Sequence, residues 1–375
     1  MAEGSAIIPI FVTVQYLHSY DAKFIGDRLW RWIFALLNHV LTVRAVNAQT
    51  CTEQLPTSNL RERNRRLKHS EQEIKENFSY FLEELSESMK EQYSGKLETK
   101  EVTVLKNNSV TMCGLVMKEE GSSVAPTFYL AREFEEYKDG RRTKKELAAG
   151  IVQSFKEEKQ NRYEMFEELD FQWDSMKDFI TYRLINREKN EGLLQDAPYE
   201  EFLDLALIYQ YTVKLSEERQ GTVQILNEHM EKLQISQEAL KDAAMENTKR
   251  IHPPAIYAME GLLLGIKEPW LEKEEIHGMY VLTNTSGIYG AASLIYKERL
   301  REFARASGGG FYILPSSIHE VIFLPDQAEV CLRQLAAAVK EINATKVEAT
   351  EVLSDQVYYF EPETDSLKRL GALSE

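Results

Sequence analysis

Residues 311–325 read Phe-Tyr-Ile-Leu-Pro-Ser-Ser-Ile-His-Glu-Val-Ile-Phe-Leu-Pro. Two apolar runs of four, each too short for a helix and rich in β-branched and aromatic residues, read as strands whose sheet is covered by other structure. Proline fixes φ and serine hydroxyls bond nearby backbone groups, so Pro315–Glu320 between them is turn chemistry. The stretch is a hairpin with a polar tip, and it says more about fold than about chemistry.

The rest of the chain supplies matching elements. From Glu71, Ile74, Phe78, Phe81, Leu82, Leu85 and Met89 recur at helical spacing, one apolar stripe on a charged helix. Lys96–Leu105 and Val110–Lys118 alternate around the turn Lys106-Asn-Asn-Ser109, a second hairpin, and Thr127–Leu130 is a third strand. Lys138-Asp-Gly140 is a turn before a helix over Thr143–Arg162. Asp178–Ile185 reads as a strand running into a short helix over Asn186–Leu194, and the nearly continuous apolar run Asp204–Val213 as a central strand. Two helices follow, the first capped by Asn227 and the second opened by Ser236 and stopped by His252-Pro-Pro254. Met279–Thr283 and Tyr289–Tyr296 read as strands around Asn284-Thr-Ser-Gly287, with one longer helix over Ala291–Ala306 as the alternative. A helix over Lys297–Ala306 ends at Gly308-Gly-Gly310, a further helix spans about Gln327–Asn343, and a last strand lies near Gln356–Phe360. This order predicts an α+β fold of mostly antiparallel sheets with helices packed on one face.

Three segments are expected: 1–70, an N-terminal extension that is poorly ordered or an over-extended reading frame; 71–250, an N-terminal α+β region; and 251–375, a C-terminal α+β region, with the double proline at the boundary. The charge supports the first division. Of the net −15, residues 1–70 hold nine Lys/Arg against five Asp/Glu, a net of +4, which leaves −19 for the remainder. So acidic a body disfavours non-specific binding to phosphate backbones; an acidic mimic of DNA is the less ordinary reading of the same charge. The apolar run Leu29–Val43 is interrupted by Arg31, Asn38 and His39 and falls short of the about 20 residues that span a bilayer. As a signal peptide it is broken and sits too far from the start. Three scattered cysteines, Cys51, Cys113 and Cys331, make no disulfide framework and no zinc knuckle, which points to a reducing compartment, the cytoplasm. The seven histidines show no metal-binding spacing. No cofactor is implied.

Two loops are the candidate pocket. In an extended chain Ser317 and His319 share a side and Glu320 points away from both, so His319 and Glu320 would not orient each other. No Gly-x-Ser-x-Gly elbow surrounds Ser316 or Ser317. The loop holding Asn284, Ser286, Gly287 and Gly290 could expose N–H groups to a phosphate, but it lacks the Gly-Lys-Ser/Thr ending and reads as a turn. A third group, Arg183, Asn186, Arg187 and Asn190, reads as a capped, solvated helix. Carboxylates such as Glu83, Glu84, Glu133, Glu135 and Glu136 read as surface.

Several motifs together carry a resemblance: Asn107–Leu115, Ala125–Leu130, Tyr182–Asn186 with Asn190, Leu203–Ala206, Val281–Asn284 with Gly287–Gly290, and Leu314–Glu320. In this order, over roughly Glu71 to Leu370, the chain resembles the bacterial family catalogued as domain of unknown function 5688. The resemblance implies a bacterial, cytoplasmic protein and brings no activity, cofactor or catalytic residue. Residues and resemblance point first to a non-enzymatic binding or interaction module, its partner unnamed. The alternative is a hydrolase-like enzyme with a pocket between the 284–290 loop and the 316–320 tip.

Overall fold

The computed structural model describes residues 15–18, 77–120, 125–167, 172–214, 219–271, 275–326 and 331–370. Apart from 15–18, the expected extension 1–70 lies outside the described residues, as does the expected helix start at 71–76. Strand β1 (Gln15–His18) groups with the second of two compact units. Of the described residues, the first unit holds 77–105 and 111–167; the second holds 15–18, 106–110 and everything from 172 onward. The break therefore falls near residue 169, away from the double proline.

In the first unit residues 77–92 are helical. Their apolar stripe does what its period requires: Phe81, Leu82, Leu85 and Met89 are buried in one cluster with Leu115, Met117, Leu147, Ile151 and Phe155. The hairpin is β2 (Leu97–Leu105) and β3 (Thr111–Glu119), paired antiparallel from Leu97↔Glu119 to Leu105↔Thr111. The short β4 (Thr127–Phe128) adds to β3. The helix Lys144–Glu167 closes the core, and a helix at Ala131–Lys138, not anticipated in sequence, inserts Phe134 against Phe81.

The second unit contains two antiparallel sheets. The first runs β1-β8-β7-β5, with β6 also on β7, from β5 (Ile180–Asn186), β6 (Tyr199–Phe202), β7 (Leu205–Lys214) and β8 (Arg219–Gln224). The expected central strand is central: β7 pairs β5, β6 and β8. The helix Gln237–Ile251 packs on β5, where the Thr248 hydroxyl accepts the Tyr182 N–H at 3.0 Å. Ser236 caps this helix, its Oγ accepting from the Ala239 N–H at 3.1 Å. In the helix Asn227–Leu233 the cap position belongs to Leu226, not Asn227, and the Leu226 N–H is satisfied by His229 Nδ1.

The other sheet has the order β14-β13-β11-β12-β10-β9, made of β9 (Pro254–Ala258), β10 (Tyr280–Asn284), β11 (Phe311–Leu314), β12 (Val321–Pro325), β13 (Val357–Glu361) and β14 (Ser366–Leu370). The opening hairpin is β11–β12, in register Leu314↔Ile322. Side chains alternate across the pleat, so Phe311 and Phe323 meet Phe303 of the helix Lys297–Ser307, each at 4.9 Å between ring centres. Leu314 and Ile322 face the opposite way, into a cluster with Leu335, Val339 and Ile342 of the helix Leu332–Lys346. The expected strand over Tyr289–Tyr296 is instead a 3-10 helix, Gly290–Ile295; the chain cannot extend there because Tyr289 is left-handed, at φ 53°. The expectation of an α+β fold with antiparallel sheets is met, but not that of helices on one face: side chains of both faces of this sheet are apolar, and a helix covers each.

Candidate functional site

The 284–290 loop is built by its own side chains. Asn284 Oδ1 accepts from both the N–H (3.1 Å) and the hydroxyl (2.9 Å) of Ser286, and Asn284 Nδ2 donates to the Ile288 carbonyl at 2.7 Å. Gly287 takes φ +68°, which glycine tolerates without strain. At Gly290 a Cβ would lie 2.5 Å from the His319 carbonyl oxygen, so only glycine lets the loop approach the hairpin tip.

The tip closes on itself in turn. Ser316 Oγ donates to the Glu320 carbonyl at 3.0 Å, Ser317 Oγ donates to Glu320 Oε1 at 2.7 Å, and the His319 N–H donates to Ser317 Oγ at 3.0 Å. The extended-chain expectation that Glu320 points away from Ser317 is thereby corrected: in a turn the alternation of faces no longer holds, and the carboxylate folds back onto both serines.

The two loops converge within the second unit, and they do so inward. Asn284, Ser316, Ser317, His319 and Glu320 are all buried, while Ser286 is half-buried. The Tyr289 N–H donates to His319 Nδ1 at 3.1 Å, the rings stack at 5.6 Å and 9°, and Thr283 Oγ1 donates to the His319 carbonyl at 2.8 Å. A nitrogen that accepts a hydrogen bond carries no proton, so the neutral ring holds its proton on Nε2. Nε2 faces Glu351 Oε1 at 3.5 Å. Glu351, not Glu320, is the carboxylate that approaches this nitrogen. Behind the loop, His252 Nδ1 lies 3.1 Å from Ser286 Oγ, and burial pushes the His252 pKa down to about 4.

The third group is not a solvated helix. Arg183 and Asn186 stand on β5, and they and Asn190 are buried. Arg183 Nη1 donates to the Tyr289 hydroxyl at 2.7 Å, Asn186 Nδ2 to the Leu353 carbonyl at 3.1 Å, and Asn190 Nδ2 to Asn108 Oδ1 at 3.0 Å. Arg187 alone keeps to the rim, ion-paired with Glu201. Sequence reasoning passed over Lys106, Tyr289, Glu351 and Asp204; Asp204 receives the hydroxyls of Ser354 (2.6 Å) and Tyr358 (2.8 Å). The one signal that could have marked Tyr289 is its place before Gly290 in a loop already singled out.

Among the described residues no group of three His, Cys, Asp or Glu is placed to hold a metal, and no helix is long and apolar enough to cross a membrane. In the first unit a separate groove of about 280 Å³ is lined by Tyr80, Phe81, Phe134, Tyr137 and the Glu84–Lys144 ion pair. No curated protein and no solved structure matches the chain. A family profile does match, over residues 78–362, which takes in both loops, the β2–β3 tip and β5. The chain therefore belongs to the family of unknown function described as domain of unknown function 5688.

Proposed function

We infer that this chain is a non-enzymatic binding or interaction module of the bacterial cytoplasm. One observation carries the reading: His319 Nδ1 already accepts the Tyr289 N–H, so the lone pair that would take a proton from a serine is engaged with the backbone. A serine nucleophile needs such a base. The Ser317 hydroxyl, moreover, is directed to Glu320. The polar groups of the two loops are spent holding the loops together. The scarce, scattered cysteines favour a reducing compartment, and the acidic body disfavours a nucleic-acid backbone as partner.

The hydrolase-like alternative draws on the 3.5 Å approach of His319 to Glu351 beside two buried serines. It requires the ring to turn and release Nδ1 from Tyr289. A panel of ester, amide and phosphoester substrates presented to the full chain separates the two. The expected result is no turnover that depends on His319. Turnover abolished by both His319→Asn and Ser317→Ala, with circular dichroism unchanged, overturns the binding reading.

A further inference from the structure

Three helices of the first unit enclose the groove of about 280 Å³. Tyr80, Phe81 and Glu84 share one face of the 77–92 helix, where residues three and four apart are neighbours. The same spacing sets Phe134, Tyr137 and Lys138 on one face of the helix Ala131–Lys138, and Lys144 opens the helix Lys144–Glu167. Phe81 and Phe134 make the floor: both are buried, and their rings lie 5.2 Å apart. Tyr137 stacks on Phe81 at 5.3 Å. Tyr80 stands beside them 62% exposed, an aromatic side chain that the core of its own unit does not cover. The polar edge has a definite sign. Glu84 is the one carboxylate among the described lining residues, and both its oxygens are engaged, Oε1 by the Tyr80 hydroxyl at 3.1 Å and Oε2 by Lys144. The Lys144 ammonium also lies over the rings of Tyr137 and Tyr80, at 4.8 and 5.7 Å, which holds it at the groove. Lys138 pairs at 3.1 Å with Glu135, outside the groove, and with side chains 46% and 56% exposed that pair is weak and exchangeable. An ammonium has three donors, so each lysine keeps at least one N–H for a further acceptor. An incoming cation meets two ammoniums and a carboxylate already in use. An incoming anion meets two donors.

We propose that this groove binds a small aromatic carboxylate of a single ring, the ring against Phe134 and Tyr137 and the carboxylate at Lys144 and Lys138. Size limits the ring count, since about 280 Å³ falls just short of the roughly 300–1,000 Å³ that drug-sized ligands occupy. Charge limits the head group: the net −15 of the chain repels a multiply charged phosphate at long range, and a single carboxylate meets less of that repulsion. The site goes beyond the reading of the two loops, with which it shares no residue; they belong to the second unit.

Phenylacetate, the benzylammonium cation and acetate are titrated separately into the full chain, with binding followed by calorimetry and by saturation transfer to the ligand protons. Phenylacetate should saturate below about 10 mM and bind at least about fivefold more tightly than benzylammonium, while acetate, which lacks the ring, should show no binding in that range. Lys144→Gln removes one donor and releases Glu84, so the preference should turn toward benzylammonium, a reversal that mere loss of structure would not give. Tyr80→Ala, at an exposed position, should weaken both ring ligands alike. Failure of phenylacetate to saturate, or benzylammonium binding as tightly to the wild type, overturns the proposal with no variant needed. Phenylacetate affinity unchanged in both variants places the ring elsewhere on the chain and overturns it too. None of these results bears on turnover that depends on His319, so the two readings fail separately.

Discussion

At His252 the imidazole is 5% exposed, and its pKa of about 4 lies below the ordinary 6.5 because burial penalises the charged ring. The consequence for stability has a definite sign. The folded state favours the neutral ring, so its contribution is fully present above pH 6.5 and is lost as pH falls toward 4, where the unfolded chain binds a proton that the folded one resists. The loss should approach about 3 kcal/mol, and urea midpoints measured across this window should show it. His252→Gln should flatten the profile; an equally steep fall in the variant would assign the effect elsewhere. At this scale the residue types of the two loops were legible, and their partners were not. Ser317 and Glu320 were expected to diverge because the chain was read as extended, whereas the local hydrogen bonds make it a turn. Lys106 read as an ordinary turn lysine, yet it is buried, and its neighbour Asn107 bonds to Thr350, 243 positions away. No local pattern encodes such a contact.

Elements with a strong period or a clear stop were read well. The 77–92 stripe, the β2–β3 and β11–β12 hairpins, the central β7, and the helix from Ser236 to the double proline all stand where periodicity and capping chemistry put them. The cap is testable at this scale. Ser236 Oγ satisfies a backbone donor of the helix Gln237–Ile251, and Ser236→Ala should cost about 1 kcal/mol of stability, with Ser236→Asp retaining most of it. Equal denaturation midpoints for wild type and Ser236→Ala would show that the bond contributes nothing. Several of the elements that escaped have weak apolar content. β8 reads Arg-Gln-Gly-Thr-Val-Gln and β14 reads Ser-Leu-Lys-Arg-Leu, and each is a strand because a neighbour offers it a ladder, β7 to the one and β13 to the other. The 3-10 helix Gly290–Ile295 likewise depends on a contact made elsewhere, the approach of Gly290 to the His319 carbonyl.

For the whole molecule the net charge of −15 sets a background of self-repulsion. Raising salt from about 0.01 M to about 0.15 M shortens the screening length from about 30 Å to about 8 Å, so the thermal midpoint should rise across that range. A midpoint that falls instead would mean that the surface ion pairs, such as Arg301–Asp365 and Lys96–Glu120, outweigh the repulsion. Composition and apolar rhythm by themselves determined the α+β class, most of the elements and the acidic character, because these depend on residues near one another in the chain or on simple counts. Tertiary structure alone decided that Asn284, Ser316, Ser317, His319 and Glu320 face inward, that Glu351 rather than Glu320 approaches the histidine Nε2, and that Lys106 and Arg183 are each buried. Burial and hydrogen-bond partnership join residues scores to hundreds of positions apart, and a sequence read locally has no measure of that distance.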